Sequence, residues 1–348
     1  MLAHPSGDHA PAVDVLSDVL RTVRLSGALF FLVDARAPWE IAVPDGATLA
    51  SAVRPGAQRV ISYHVVTGGV AWGRVLPDGP PTRLEAGDVL VLPHGDAYVM
   101  SIGRDRGRGP EAAEVMDFMR AMSQGRLPFR VVEGGAGSDR LRLVCGFLSC
   151  DVRPYNPLLA TLPRLLHVRR AEADTDVLAR LLDLTVAEAR DTRAGSDCVR
   201  LRLSELMFVE LLRRHVGSAE GRQTGWLAGL RDGVVGRALA RLHESPARPW
   251  TLLALAREVG LSRSALAERF THFVGRPPMQ YLASWRMQLA ARRLADGDAK
   301  VAAVALDVGY DSEAAFSRAF RRATGIPPAE WRRRQATGGK FPRRLRRR

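Results

Sequence analysis

Cysteine is scarce in this 348-residue chain, with only Cys145, Cys150 and Cys198 present. So small and odd a number excludes a disulfide scaffold and fits a reducing cytoplasm. Lysine is nearly missing too: Lys300 and Lys340 stand beside 49 arginines, a bias that points to a GC-rich genome rather than to a function. No apolar run approaches the ~20 residues needed to span a bilayer. The first residues lack the basic-then-apolar pattern of a secretory leader. An integral membrane protein and a secreted mini-scaffold are therefore disfavoured, and a cytoplasmic location is expected. Hydrophobic residues at 46% and charged residues at 25% are ordinary for a chain with packed cores, which argues against disorder. The length suggests two or three domains.

What the chain has in excess is positive charge, and it is unevenly placed. Of the net +14, residues 232–348 carry +13, from 23 basic against 10 acidic residues. Six basic residues fall in the last nine, KFPRRLRRR. A polyanion is the natural partner of such a segment.

From Asp14 to about Asp151 short apolar runs (Ala28–Val33, Val60–Val66, Val70–Val75, Val89–Leu92) alternate with Gly/Pro/Asp clusters. This pattern predicts a β-sandwich or barrel. Gly103–Gly109 and Gly134–Ser138 read as loops. From Pro157 the period becomes helical, and three amphipathic helices are expected: one on Leu158, Leu159, Leu162, Leu165 and Leu166, one on Leu178, Leu181, Leu182 and Val186, and one on Val199, Leu203, Leu206, Val209 and Leu212. Gly217–Gly225 is small and polar and reads as a linker, and the rest is helical. The expected division is 14–151, 155–216, a linker at 217–229, 230–336 and a basic tail at 337–348.

The basic third contains an internal repeat. Ala256, Val259 and Gly260 match Ala305, Val308 and Gly309, while Phe270, Gly275, Pro277 and Pro278 match Phe320, Gly325, Pro327 and Pro328. In each copy a short apolar helix (Leu252–Val259; Val301–Val308) ends at a glycine able to adopt the left-handed conformation. Ser262, or Asp311/Ser312, can then cap a second helix by accepting orphan N–H groups. This is a helix-turn-helix, in which the second helix enters the major groove. Between the copies, Pro278–Asp296 forms one connecting helix.

Residues 232–336 resemble the DNA-binding domain of AraC/XylS-family transcription regulators. The resemblance rests on the two helix-turn-helices, the connecting helix and the G-x-P-P that closes each unit, with Lys300–Val308, Gly309–Tyr310, Phe316, Phe320 and Gly325–Pro328 as the closest segment. By position it implies that Arg263, Ser264, Ala267 and Glu268 of the first recognition helix face DNA, as do Glu313, Ala314, Ser317 and Arg318 of the second. Arginine can hold guanine through two hydrogen bonds and glutamate can accept from cytosine. Arg269, Arg321 and Arg322 are expected on phosphates, which fix register without reading sequence. Phe270, Phe320, Trp285 and Trp331 are expected in the core.

The N-terminal part resembles the cupin-type sensor of one AraC branch, through residues 14–31, APWE (37–40), SYHVV (62–66) and LEAGDVLVLPHGDAYVM (84–100). Gly87, Asp88 and Pro93 keep the cupin frame. The metal ligands of cupin enzymes are depleted: His64 is followed by Val65 and Val66, and Tyr98 stands where a later histidine is usual. His64 and His94 remain as weak candidate metal ligands, and no cofactor is expected. Cys145 and Cys150 are weak candidates for oxidant sensing, but five residues apart on a strand they would face opposite ways.

The resulting expectation is a two-domain α+β protein: a cupin-like barrel or sandwich with a helical, dimerising segment, then an all-α double helix-turn-helix. Its implied function is sequence-specific regulation of transcription, more readily activation, under an effector or oxidant. The implied partners are double-stranded DNA, an unknown small-molecule effector, RNA polymerase and a second copy. Two alternatives remain: a cupin metalloenzyme fused to a DNA-targeting module, and an architectural DNA-binding protein without sequence preference.

Overall fold

The structure, a computed structural model, describes residues 14–23, 25–103, 109–150, 153–160, 162–169, 176–190, 193–217 and 225–337. Most of the Gly103–Gly109 loop, the core of the linker and the basic tail therefore lie outside the described residues. The chain divides into two compact units. Among the described residues, one holds 25–103, 109–150, 153, 162–169, 176–190, 193–217 and 334–337; the other holds 14–23, 154–160 and 225–333.

The chain opens with α1 (Val15–Thr22), capped by Asp14, whose carboxylate accepts from the Ser17 N–H. The sheet unit follows, with β1 (Ser26–Arg36), β2 (Glu40–Val43), α2 (Gly46–Val53), β3 (Arg59–Gly68), β4 (Val70–Val75), β5 (Thr82–Glu85), β6 (Val89–Leu92), β7 (Tyr98–Ser101), α3 (Ala112–Ser123), β8 (Arg130–Gly134) and β9 (Arg140–Cys150). Then come α4 (Pro157–Ala160), β10 (Leu166–Val168), α5 (Val177–Arg190) and α6 (Ser196–Gly217). Two sheets form, in the orders β10-β6-β3-β9-β1-β8 and β2-β7-β4-β5. All four apolar runs become strands. On β1 and β9, Phe31 pairs with Cys145 and Val33 with Leu143, and these residues point into the core with Leu84, Leu92, Tyr98 and Met100.

The other face of the large sheet is covered by α6. Tyr63 there donates to the Ser204 carbonyl at 3.1 Å and lies within 2.9 Å of its hydroxyl, while the Gly27 N–H donates to Glu205 at 2.7 Å. Gly146 pairs with Tyr63, and a Cβ at Gly146 would fall 2.1 Å from that ring, so this strand position must be glycine. Both faces of β3 and β9 are thus buried, which explains their nearly unbroken apolar runs.

The helix expected on Leu158–Leu166 is corrected. It stops at Ala160, and Leu166–Val168 instead extends the sheet by pairing with β6. Pro163 cannot continue a helix, and the open edge of β6 accepts a strand. Helices α2 and α3 were not foreseen. For α3 a signal existed: Val115, Met119 and Met122 recur at helical spacing behind a Glu111–Glu114 capping box.

The helical unit comprises α7 (Trp226–Arg231), α8 (Val235–Glu244), α9 (Leu252–Val259), α10 (Arg263–Val274), α11 (Pro278–Asp296), α12 (Val301–Asp307), α13 (Glu313–Thr324) and α14 (Pro328–Thr337). Trp226, Phe270, Tyr281 and Trp285 fill its first half, and Phe316, Phe320 and Trp331 its second. The four aromatics expected in the core are all there. Two pieces from earlier in the chain complete the unit. Helix α1 buries Val15 and Val19 and places Asp18 at 2.6 Å from His243 Nδ1. The other ring nitrogen of His243 meets Tyr281 Oη at 2.7 Å, and Tyr281 accepts from the Trp226 indole at 3.1 Å. Burial pushes the His243 pKa down, against the pull of Asp18, so the ring is held neutral. The second piece is the residue pair just before α4, where the Tyr155 N–H donates to Gln288 and the Tyr155 ring lies under Arg276.

Candidate functional site

Two helix-turn-helices stand where the repeat places them. In the first, α9 ends at Gly260, which has φ 76°, and Ser262 caps α10 by accepting from the Ala265 N–H. In the second, Gly309 has φ 80° and Ser312 caps α13 by accepting from the Ala315 N–H. Gly275 and Gly325, also left-handed, end the two recognition helices. The repeat is therefore one of backbone stereochemistry: two stops, one cap and one buried aromatic pattern, used twice.

Capping and burial orient the outer faces. On α10, Leu266 and Phe270 are fully buried while Arg263, Ser264 and Glu268 are exposed and Ala267 is half-buried. On α13, Phe316 and Phe320 are buried while Glu313, Ala314, Arg318, Arg321 and Arg322 are exposed and Ser317 is half-buried. Among the described residues, neither Glu268 nor Arg318 makes a side-chain hydrogen bond or ion pair. Both can turn to a ligand without breaking anything.

Arg269 differs. Its guanidinium grips Asp232 through both carboxylate oxygens, with the Nη2 to Oδ2 distance at 2.6 Å. Asp232 also accepts from the Val234 and Val235 N–H groups at the start of α8, and Arg269 holds its pKa down to about 2. The residue placed on phosphates thus braces α10 against α8.

The connector α11 is 19 residues long, or roughly 28 Å at 1.5 Å per residue. Arg286, halfway along it, donates to the carbonyls of Pro246 at 2.7 Å, Arg248 at 2.8 Å and Gly309 at 3.2 Å. One guanidinium thereby ties the turn before α9 to the turn before α13, fixing the two units against each other. Nothing in the sequence marks Arg286, since an arginine in an amphipathic helix looks like any solvated charge.

Inside the barrel, His64 is 3% exposed. Its Nδ1 lies 3.2 Å from Cys145 Sγ and its Nε2 2.6 Å from Tyr98 Oη. Burial pushes its pKa down to about 3 and those of Cys145 and Tyr98 up, so all three are neutral. The surrounding side chains include Phe31, Val43, Met100 and Phe147, around a residual cavity of about 20 Å³. His94 is not part of this cluster; its Nε2 lies 2.8 Å from the Leu162 carbonyl. A cupin metal needs three or four converging donors. Among the described residues no such group of His, Cys, Asp and Glu forms, so the donor set does not fit one. Cys145 and Cys150 are both buried and unbridged.

A cupin-type sheet unit followed by two helix-turn-helices on a common brace defines a DNA-binding transcription regulator. A family model described as a cupin matches residues 14–217, and one described as a helix-turn-helix domain matches residues 255–334. A Streptomyces lividans protein described as an AraC-like transcription regulator is 34% identical over 92% of this chain and 98% of its own. The transcriptional regulator AlkR of Acinetobacter baylyi is 27% identical over 92% and 99%. The RCS-specific transcriptional activator RclR of Escherichia coli is 24% identical over 80% and 86%. The chain belongs to the AraC family of transcription regulators and binds DNA through its C-terminal helix-turn-helices.

Proposed function

We propose that the chain is an effector-controlled activator that reads DNA with α10 and α13 as separate base-contacting helices. The observation that carries this is the pair of capped, exposed faces on one rigid connector. Arg263, Ser264, Ala267 and Glu268 read one major-groove segment; Glu313, Ala314, Ser317 and Arg318 read another about one helical turn away. Arg321 and Arg322 sit on phosphates. Arg269 serves recognition through its brace to Asp232. The regulator works in the cytoplasm, pairs with a second copy through α5 and α6, and activates by contact with RNA polymerase. The barrel has no enzymatic role, given its apolar filling and neutral His64. Control reaches the DNA through α1, which belongs to the helical unit and precedes β1 in the chain.

The test is binding of variants to a randomised site library. Glu268→Ala and Arg318→Ala should each cost about 1–3 kcal/mol and relax preference at different base positions. Arg269→Ala removes the brace between α10 and α8 and should relax preference at the base positions α10 reads while leaving those of α13 unchanged. If Glu268→Ala and Arg318→Ala lower affinity uniformly, or alter the same positions, the two-helix reading fails.

A further inference from the structure

The barrel interior has no room for an effector, since a cavity of about 20 Å³ holds about one water. A cleft of about 610 Å³ lies elsewhere in the same unit, between the outer face of the large sheet and α5. That volume lies within the range of about 300–1,000 Å³ usual for small-molecule sites. We propose that this cleft is the effector site and that it takes a small organic anion, a carboxylate joined to an apolar body. The proposal deepens the regulator reading and rests on it for the word effector.

The chemistry of the walls supports this class. On the sheet side Asp34, nearly buried, is held by Arg130 and by Arg140, whose Nε and Nη2 lie at 2.7 and 2.6 Å. Arg142 stands opposite Asp34 in the β1–β9 register and also lines the cleft. Its side chain makes no hydrogen bond or ion pair among the described residues. Two guanidiniums, Arg130 and Arg140, thus share one carboxylate, and Arg142 stands beside them. Across the cleft Asp176 is already paired with Arg214, and Asp183 is exposed, as are Arg130 and Arg142. With the ion-pair partners Arg140 and Arg214 counted, four guanidiniums stand against Asp34, Asp176 and Asp183, an excess of one positive charge. Leu32 from the sheet and Leu178, Leu182 and Val186 from α5 supply an apolar wall. An arginine fork beside aliphatic side chains suits a carboxylate on a hydrocarbon better than a sugar or a cation.

The experiment is calorimetric titration of the full chain with octanoate, octan-1-ol and octylammonium. Octanoate should bind more tightly than either by about tenfold or more, the value of one charge-assisted hydrogen bond. Shortening its chain should weaken it roughly fourfold per methylene. Arg142→Met, which keeps an apolar stem, should lose about that tenfold for octanoate while octan-1-ol is unaffected. Leu182→Trp, which fills the cleft, should abolish both. Retained operator binding by the two variants shows that they are folded. Octan-1-ol or octylammonium binding as tightly as octanoate, no carboxylate binding, or titrations unchanged by both variants would each overturn the proposal. Octanoate binding without specific DNA binding would instead sink the regulator reading and leave the site standing.

Discussion

A histidine enclosed in an apolar barrel must be satisfied either by a metal or by neighbours. His64 takes neighbours, at the cost of being unable to accept a proton. Its ordinary value near 6.5 falls to about 3 because burial disfavours the cation. Between those values the unfolded chain binds a proton that the folded chain does not. Stability is therefore complete above about pH 6.5 and falls with pH below it, by up to about 1.4 kcal/mol per pH unit. His243, also depressed, adds a slope of the same sign. His64→Gln, which cannot protonate, should flatten the dependence seen in urea unfolding between about pH 7 and pH 5. Identical slopes for the two proteins would refute the neutral-histidine account. The motif could show that His64 lacked its usual companions. It could not show Cys145 and Tyr98 closing on the ring, because those contacts span 81 and 34 residues and depend on sheet register.

Elements were legible where local chemistry alone decides them. The bounds of α9 and α11, both serine caps and the four strands on apolar runs all follow from caps, periodicity and punctuation. The misreading has the opposite character: β10 depends on an open strand edge. The repeat also hides a difference that sequence cannot express. A Cβ on Gly260 would meet nothing within 4 Å, whereas one on Gly309 would come 2.4 Å from the Ala247 carbonyl oxygen. Gly260→Ala should then cost only the left-handed strain, about 1–2 kcal/mol. Gly309→Ala must add a backbone displacement and should cost distinctly more in thermal unfolding. Equal losses would mean that the turn before α13 yields as easily as the one before α10.

At the scale of the molecule, the charge imbalance alone announced which third meets DNA. The cleft beside α5 was invisible, since Arg130 and Arg142 come from strands that read as ordinary exposed positions. Self-association is the property to be tested here. Val177 and Leu184 on α5, and Val199 and Leu206 on α6, recur seven residues apart and remain about half exposed. Such paired stripes fit a helical interface with a second copy. Replacing Leu184 and Leu206 together by aspartate should yield monomers in sedimentation and weaken binding to a two-site operator while sparing a single site. Unchanged sedimentation would place the dimer contact elsewhere.

Helix α1 bears on how such regulators can be recombined. Its Val15, Val19 and Asp18 belong to the packing of the helical unit, yet they precede the barrel in the chain. The two halves are interleaved rather than strung end to end. A gene fusion cut at the linker would give the borrowed half a foreign first helix and leave His243 facing whatever residue that helix supplies. Chimeras that exchange sensors must therefore carry α1 with the DNA-binding half, although it is translated with the other.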